Sequence, residues 1–285
     1  MNDTPKTGAD SPADRPSGPL PSDSIVAAGA QENSSPSWLT RYPWVIYVLP
    51  LAVFMLFTSL EPTPEKVNER GDQEAKAAAW QLSYEYYPLV YTLKLAATLV
   101  AIAVVWPGYR KFAWRITPWS VVVGAVGVVL WVGLARLGLE KRLLGALGLD
   151  SLIDLGQRSA FNPLVELADN PAWAYGFLAI RFLGLAAVVP IIEEFFLRGF
   201  LMRFVVRQDW WNVPFGEVNR MAIAVGTLVP MLMHPGELLA AAVWFSLVTW
   251  LMVKTRSIWD CVVAHAVTNL LLGVYVVATG NWQLM

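Results

Sequence analysis

Repeated long apolar runs are the feature of this sequence that most restricts its fold. A helix that crosses the hydrocarbon core of a bilayer needs about 20 predominantly apolar residues. Seven segments approach this length and composition: 43–60, 86–106, 118–137, 173–198 with an extension toward 207, 219–233, 237–253 and 258–279. Because lipid-exposed irregular backbone and open strand edges are excluded from the bilayer core, the sequence predicts an all-α, polytopic transmembrane bundle of about seven helices (seven or eight).

The composition agrees with a lipid environment. Only 15% of the residues are charged and 56% are hydrophobic, whereas soluble domains are nearer one quarter charged. A formal net charge of −1 gives no electrostatic basis for a nucleic-acid partner, so the bilayer is the expected partner. The single cysteine, Cys261, excludes an intrachain disulfide and a cysteine-based zinc cluster.

The composition also divides the chain into two parts. Residues 1–42 are rich in Pro, Ser, Asp and Gly, and we predict a disordered N-terminal tail there. This tail lacks the pattern of a secretory signal. Residues 43–285 form the expected transmembrane domain, in which 173–279 carry the polar motifs. The polar, partly amphipathic stretch 140–170 is expected to lie on the membrane surface.

Positive charges in the short loops predict the orientation, because Lys and Arg favour the cytoplasmic side. They occur in three loops that the predicted topology places on one side, at Arg110, Lys111, Arg115, Arg203, Arg207, Arg220, Lys254 and Arg256. Basic residues of the first loop, at Lys66, Arg70 and Lys76, oppose this assignment but are accompanied by five acidic ones. We therefore expect a multi-pass protein of the cell (inner) membrane with a cytoplasmic N-terminus.

Ionisable residues inside the apolar runs are the candidate catalytic residues, because a charge in hydrocarbon is costly and is usually paired or functional. The fourth run contains Glu193, Glu194 and Arg198. Glu194 and Arg198 are four residues apart on one helical face, in the favourable order for an ion pair. Glu193 is rotated by about 100°, so its carboxylate is left available as a base. The alternative is an ion pair of the cytoplasmic interface.

Both histidines of the chain also fall in apolar segments. His234 follows Pro230 and precedes Pro235 and Gly236, which together disfavour a continuous helix. Broken helices are tolerated at membrane depth where they line a wet cavity. The alternative for His234 is a residue that caps an external turn.

The second histidine belongs to a polar stripe on the last run. Cys261, His265 and Asn269 follow one another at four-residue steps and so share one helical face. This stripe indicates a polar cavity, or otherwise hydrogen bonds that hold helices together.

A depth estimate tests whether the polar residues could meet. At about 1.5 Å per residue from the cytoplasmic helix ends, His234 lies about 22 Å deep, His265 about 12 Å and Glu193 about 15 Å. All three therefore reach the middle of the membrane. A buried glutamate is a competent base toward water, His234 could share that water, and His265 with Asn269 could donate hydrogen bonds to an oxyanion. This set suits amide hydrolysis.

The order of these motifs resembles the CAAX-processing and bacteriocin-processing intramembrane proteases. The resemblance rests on Glu-Glu-x-x-x-Arg, a histidine on the next helix and His-x-x-x-Asn on a later one, and it spans about 173–279. It implies that Glu193 activates water with help from His234, that His265 and Asn269 form the oxyanion hole, and that Glu194 and Arg198 hold the helix. It leaves open a divalent metal such as zinc, with no other cofactor expected. The sequence departs from the family at Pro230, where a Phe is usual.

The resemblance also has narrower and rival interpretations. Tyr86-Tyr87-Pro88 and the long N-terminal half are similar to the subgroup associated with bacterial exosortase systems. The expected partner is a membrane protein or peptide substrate.

A non-catalytic scaffold, immunity-type or carrier protein is the alternative, and Lys94 and Arg181 are buried charges that a carrier could use or that could snorkel to an interface. A Cys261–His265 nucleophile pair is a further alternative mechanism.

Overall fold

The computed structural model describes residue 39 and residues 41–64, 82–148 and 160–285, all of which belong to the compact unit Ser35–Met285. Nearly all of the predicted tail, and the basic residues of the first loop, lie outside the described residues. Every regular element within the described ranges is helical. The α-helices are α1 Val45–Thr58, α2 Tyr87–Tyr109, α3 Pro118–Leu137, α4 Leu139–Ala146, α5 Pro163–Glu166, α6 Pro171–Val206, α7 Arg220–Met233, α8 Leu238–Thr255 and α9 Ile258–Thr279.

The predicted all-helical membrane bundle is confirmed. Five helical segments are long and apolar enough to cross a membrane, namely 84–109, 118–137, 171–206, 235–255 and 258–279. The other two predicted runs form shorter apolar helices, α1 and α7. The chain is thus a multi-pass membrane protein. Of the expected surface stretch, α4 and α5 are described, and residues 149–159 lie outside the described ranges.

The helix ends follow from local chemistry. Asn170, Asn219 and Ser257 are the N-caps of α6, α7 and α9, and each accepts a hydrogen bond from a backbone N–H of the first turn. Glycine ends α3 and α9, where Gly138 and Gly280 adopt φ values of 56° and 73°. Only glycine adopts this left-handed conformation without a steric penalty.

Helix α9 is the centre of the bundle and packs against α3, α6 and α8, while α1 packs along α2. Aromatic side chains fill the junction of α1, α2, α6 and α9. The rings of Tyr109 and Phe195 stack with centroids 3.8 Å apart. The rings of Tyr47 and Trp259 also lie near the Phe195 ring, with centroids 6.4 Å and 5.4 Å from it. This cluster fixes the middle of α6 against α9.

Hydrogen bonds join the beginnings of α3 and α9. Asp260 accepts from the backbone N–H of Thr117 at 2.6 Å and from its hydroxyl at 3.0 Å, and Ser257 donates to the carbonyl of Arg115 at 2.5 Å. Trp259 donates to the carbonyl of Phe112 in the same region. Two of the three basic loops therefore meet at one end of the bundle.

The close approach of α3 and α9 yields a prediction about stability. A Cβ atom on Gly124 would lie 2.7 Å from the backbone oxygen of Ala264, which cannot move aside, whereas a Cβ on Gly133 of the same helix would meet nothing within 4 Å. We expect Gly124→Ala to destabilise the protein by about 1–3 kcal/mol. Gly133→Ala should be neutral or slightly stabilising, because alanine has the higher helix propensity.

Thermal unfolding of both variants in the same detergent, followed by circular dichroism, tests this packing. Equal melting temperatures for the two variants would contradict the contact between α3 and α9.

Candidate active site

Helix α6 carries the Glu-Glu motif and is not a regular α-helix throughout. Two π-helical segments, Gly184–Val188 and Phe195–Leu201, flank the α-helical stretch Val189–Glu194. Single π turns in α-helices often mark functional sites. The two glutamates thus lie between two wide turns of the longest described helix.

The first π segment explains how Asn269 is placed. The N–H of Val189 donates to the carbonyl of Gly184, five residues back. In the same five-residue pattern, the carbonyl of Leu185 would accept from the N–H of residue 190. That residue is a proline and has no N–H. The side-chain amide of Asn269 on α9 donates to the carbonyl of Leu185 at 2.9 Å instead. Asn269 therefore joins α9 to α6 at the carbonyl that Pro190 leaves without a donor.

Glu194 lies at the centre of a buried polar network. Its side chain is fully buried, it forms the predicted ion pair with Arg198, and its Oε1 lies 3.0 Å from Nδ1 of His265. Arg198 also donates to the carbonyl of Phe245 on α8 at 3.1 Å. One carboxylate thus joins α6 to α9, and its partner arginine joins α6 to α8.

Glu193 occupies a different environment from its neighbour. Its side chain is 15% exposed against 0% for Glu194, and its Oε2 lies 4.0 Å from Nε2 of His265. The rotation between adjacent helical residues therefore separates the two carboxylates, as the sequence predicted. Glu194 faces the buried Arg198, and Glu193 faces Nε2 of His265 at the cavity. His265 stands between them.

The partners of the histidines assign their hydrogens. A carboxylate paired with arginine and a backbone carbonyl can only accept hydrogen bonds. His265 Nδ1 faces Glu194, and His234 Nδ1 lies 2.8 Å from the carbonyl of Pro230. We therefore assign a hydrogen to Nδ1 of both rings, so that Nε2 is the proton acceptor in the neutral form of each. The backbone carbonyl of residue 230, where the sequence departs from the family, thus orients His234.

A cavity of about 460 Å³ brings the candidate residues together. Glu193, His234, His265 and Asn269 all line it. Glu194 and Arg198 do not line it and are fully buried behind it. The predicted site residues therefore divide into four with access to the cavity and a buried pair that holds them.

Aromatic residues complete the site, and sequence reasoning did not find them. The ring of Trp244 lies 4.5 Å from that of His265 and its Nε1 donates to Thr268 at 3.0 Å. Phe245 lies beside both histidines, with ring centroids 5.7 Å from His234 and 6.3 Å from His265. Aromatic residues in an apolar helix carry no local sign of such a role.

The described residues contain no group of three or more His, Cys, Asp and Glu side chains arranged to hold a metal ion. Catalytic zinc usually has three protein ligands, so these side chains, as placed, do not fit zinc. Cys261 is buried and donates to the carbonyl of Ser257 at 3.5 Å. It does not line the cavity, so the thiol and the imidazole do not form a nucleophile pair there.

Comparison with known proteins identifies the family of this region. Residues 175–271 match the family model described as type II CAAX prenyl endopeptidase Rce1-like. No curated protein and no solved structure matches significantly. The match lies within the motif-bearing residues 173–279 and confirms both the resemblance and the predicted enzyme class, a peptidase of the hydrolases. The exosortase-associated subgroup stays a prediction.

The twin glutamates yield a prediction about stability. Glu194→Gln removes the charge that pairs with the fully buried Arg198, and breaking a buried pair in this way costs about 3–5 kcal/mol. Glu193→Gln changes the adjacent, partly accessible carboxylate and should cost about 1 kcal/mol or less. Thermal unfolding of the two purified variants in one detergent measures the difference. Equal losses would contradict the division of roles.

The hydrogen bond from Asn269 to the carbonyl of Leu185, next to Pro190, yields a second prediction about stability. A double-mutant cycle of Pro190 and Asn269 tests it. Asn269→Ala should destabilise the protein by about 0.5–1.5 kcal/mol, because it removes the donor to the part-buried carbonyl of Leu185. In a Pro190→Ala background the new N–H can supply that donor, so the same change should be less destabilising. Unfolding of the four proteins of the cycle checks this, and strictly additive effects would contradict it.

Proposed function

Since residues 175–271 match the type II CAAX prenyl endopeptidase Rce1-like family, we propose that the protein hydrolyses a peptide bond of a membrane-associated substrate with water activated by Glu193. The observation that carries this proposal is the placement of Glu193 Oε2 4.0 Å from His265 Nε2 beside the cavity. A water molecule fits between these atoms with a hydrogen bond of about 2.8 Å to each.

Proton transfer follows from the environments of the two groups. The carboxylate of Glu193 accepts a proton from the water, whose oxygen attacks the peptide carbonyl carbon and converts its oxygen to an oxyanion. The proton then passes to the amide nitrogen as the C–N bond breaks, and an acid and an amine leave. Positioned groups of this kind contribute about 10²- to 10⁴-fold to a rate.

His265 has a role that changes during this cycle. In its neutral form it presents the Nε2 acceptor to the water. Glu193 passes to Nε2 the proton that it took from the water, and His265 then donates this proton to the leaving nitrogen. While His265 is charged, the ionised carboxylates of Glu193 and Glu194 lie beside it and stabilise it. The fixed orientation of its ring by Glu194 is a preorganised arrangement of the type that stabilises developing charge.

Asn269 and His234 are proposed as the remaining polar contacts of the reacting peptide. One N–H of the Asn269 amide is used by Leu185, and the second is left to donate to the oxyanion. His234 lines the cavity with its ring oriented through Nδ1, which supports a role in holding the water or the substrate. No step runs through a metal ion.

We also propose the location and orientation predicted from the sequence. The basic residues Arg115 and Arg256 flank segments that meet where α3 and α9 begin, and such loops favour the cytoplasmic side. The chain would thus lie in the cell (inner) membrane with its N-terminus in the cytoplasm. The alternative class, a scaffold or carrier that keeps the fold without the reaction, predicts no cleavage by any form of the protein.

Activity is tested with the purified protein in dodecyl maltoside, using a mixture of synthetic peptides of diverse sequence that carry an N-terminal acyl anchor. Glu193→Gln should lower the cleavage rate by about 10²- to 10⁴-fold. His265→Asn should have a similar effect while preserving the fold, because the Asn amide can replace Nδ1 toward Glu194 but supplies nothing at Nε2. Mass spectrometry of the products measures the rates.

Cys261→Ala is the matched control, since this buried residue shares the face of α9 with His265 but does not line the cavity. It should retain activity. Full activity of Glu193→Gln would refute the mechanism, and absence of cleavage by the wild type would favour the scaffold or carrier class. Comparison of membrane-protein termini in cells with wild type or Glu193→Gln would then identify natural substrates.

A further inference from the structure

A second pocket, separate from the candidate active site, lies at one end of the bundle. It has a volume of about 390 Å³ and shares no lining residue with the first cavity. Its walls come from the beginning of α1, the end of α2 and the end of α6 with the loop that follows. Two basic residues and four aromatic ones are among the residues that line it, namely Lys111, Arg203, Tyr47, Phe112, Trp210 and Trp211.

The position of the pocket along the chain places it where the bundle meets the membrane surface. The apolar spans 84–109 and 171–206 both end beside it. Tryptophan is enriched at membrane–water interfaces, and Trp211, at the rim of the pocket, is 56% exposed. The two basic residues therefore lie near the level of the lipid head groups rather than in the middle of the hydrocarbon.

The pocket carries positive charge and no carboxylate. Neither Lys111 nor Arg203 forms an ion pair with a described residue, and the lining contains no Asp or Glu. Asp209, which precedes Trp210 in the chain, is paired with Arg207 instead. The first turn of α1 contains no acidic residue and has no side-chain cap, so its backbone N–H groups add a partial positive charge.

Arg203 is a fixed charge in the wall of the pocket. Its side chain donates hydrogen bonds to the backbone carbonyls of Gly199, Trp211 and Val213, at distances between 2.7 and 3.2 Å. These acceptors are neutral, so they hold the guanidinium in place without cancelling its charge. Because the cation is positioned before any ligand arrives, binding of an anion costs little conformational entropy at this residue.

Lys111 supplies the accessible charge. Its side chain is exposed, in contrast to the buried Arg203. An ammonium on a flexible stem acts as a point charge, and such groups are common ligands of phosphate. The pocket thus offers one ammonium for direct contact with an anion and one guanidinium that attracts it from behind.

The walls of the pocket belong to the packed core and are therefore formed in advance. Gly108 lets α1 and α2 approach closely, since a Cβ atom there would lie 2.4 Å from Cγ2 of Ile46. The ring of Tyr47 meets that of Trp210 edge-on, with centroids 5.2 Å apart, and stacks on that of Phe200 at 6.3 Å. The space between these elements does not depend on a ligand.

We infer that this pocket binds the head group of an anionic phospholipid, with its phosphate at Lys111 and in the field of Arg203. Basic pockets between transmembrane helices are typical sites for such head groups. The exposed rings of Trp211 and Phe204 provide an apolar surface for an acyl chain. A zwitterionic head group carries an additional cation, which Arg203 and Lys111 repel, so the site selects lipids with a net negative charge.

Native mass spectrometry of the purified full-length protein tests this binding. The protein is titrated in dodecyl maltoside micelles with phosphatidylglycerol and with phosphatidylcholine of the same acyl chains. Two basic residues near a membrane surface contribute about 5-fold each to the binding of an anionic lipid. The wild type should therefore bind phosphatidylglycerol about 10- to 30-fold more tightly than phosphatidylcholine.

Variants at the exposed lysine assign the effect to the pocket. Lys111→Gln should weaken the binding of phosphatidylglycerol by about 3- to 10-fold and leave phosphatidylcholine unchanged. Lys111→Arg should keep the preference, because it keeps the charge. Arg110→Gln is the matched control, since it removes the same charge from the adjacent exposed residue, which does not line the pocket. This control should bind both lipids as the wild type does.

A soluble phosphate ester separates the two sources of the same charged group. Glycerol 3-phosphate should bind at least about 10-fold more weakly than phosphatidylglycerol, because it lacks the acyl chains. Equally tight binding of the ester would overturn the assignment to a lipid. Equal affinity of the wild type for the two lipids would overturn the inference. Equal losses in Lys111→Gln and Arg110→Gln would also overturn it, since they would indicate a diffuse surface charge. None of these measurements depends on cleavage of a substrate.

Discussion

The structure depends on a carboxylate buried where no carboxylate is stable alone. Glu194 is fully enclosed between α6, α8 and α9, and it forms an ion pair with Arg198 on its own helix and a hydrogen bond with His265 across the bundle. Arg198 in turn reaches a carbonyl of α8. Because each of these groups would be strongly destabilising without the others, the relative position of three helices is fixed by electrostatics as well as by packing. The imidazole that faces the cavity receives its orientation from this network.

The irregular geometry of α6 follows from a similar constraint on backbone groups. At membrane depth, backbone that lacks a helical hydrogen bond is tolerated only where protein or a wet cavity surrounds it. Pro190 removes the donor that the π register would offer to Leu185, and Asn269 supplies one from α9. The same wide turn rotates the outer half of α6 so that Arg181 and Glu193 face one cavity. A local defect in hydrogen bonding thus determines which residues of a 36-residue helix line the cavity.

Most of the fold, and the placement of four candidate residues at one cavity, could be predicted from the sequence because they follow from local rules. Apolar runs give the helices, four-residue spacing pairs Glu194 with Arg198 and aligns His265 with Asn269, and a rise per residue places Glu193 and His265 at similar depth. The contact of His265 with Glu194 could not be predicted, since spacing within one helix does not reveal partners on another. Trp244 was missed for the same reason. The π turn has a signal in Pro190, but its consequence depends on where Asn269 lies.

The charges around the cavity divide between a buried pair and an accessible group. Glu194 and Arg198 neutralise one another behind the cavity, whereas Glu193 lines it beside His265. In the proposed reaction, water must reach the base, but it must not reach the carboxylate that orients the imidazole, because that orientation has to be fixed before charge develops. Adjacent residues of a helix point about 100° apart, so two neighbouring glutamates on α6 meet both requirements.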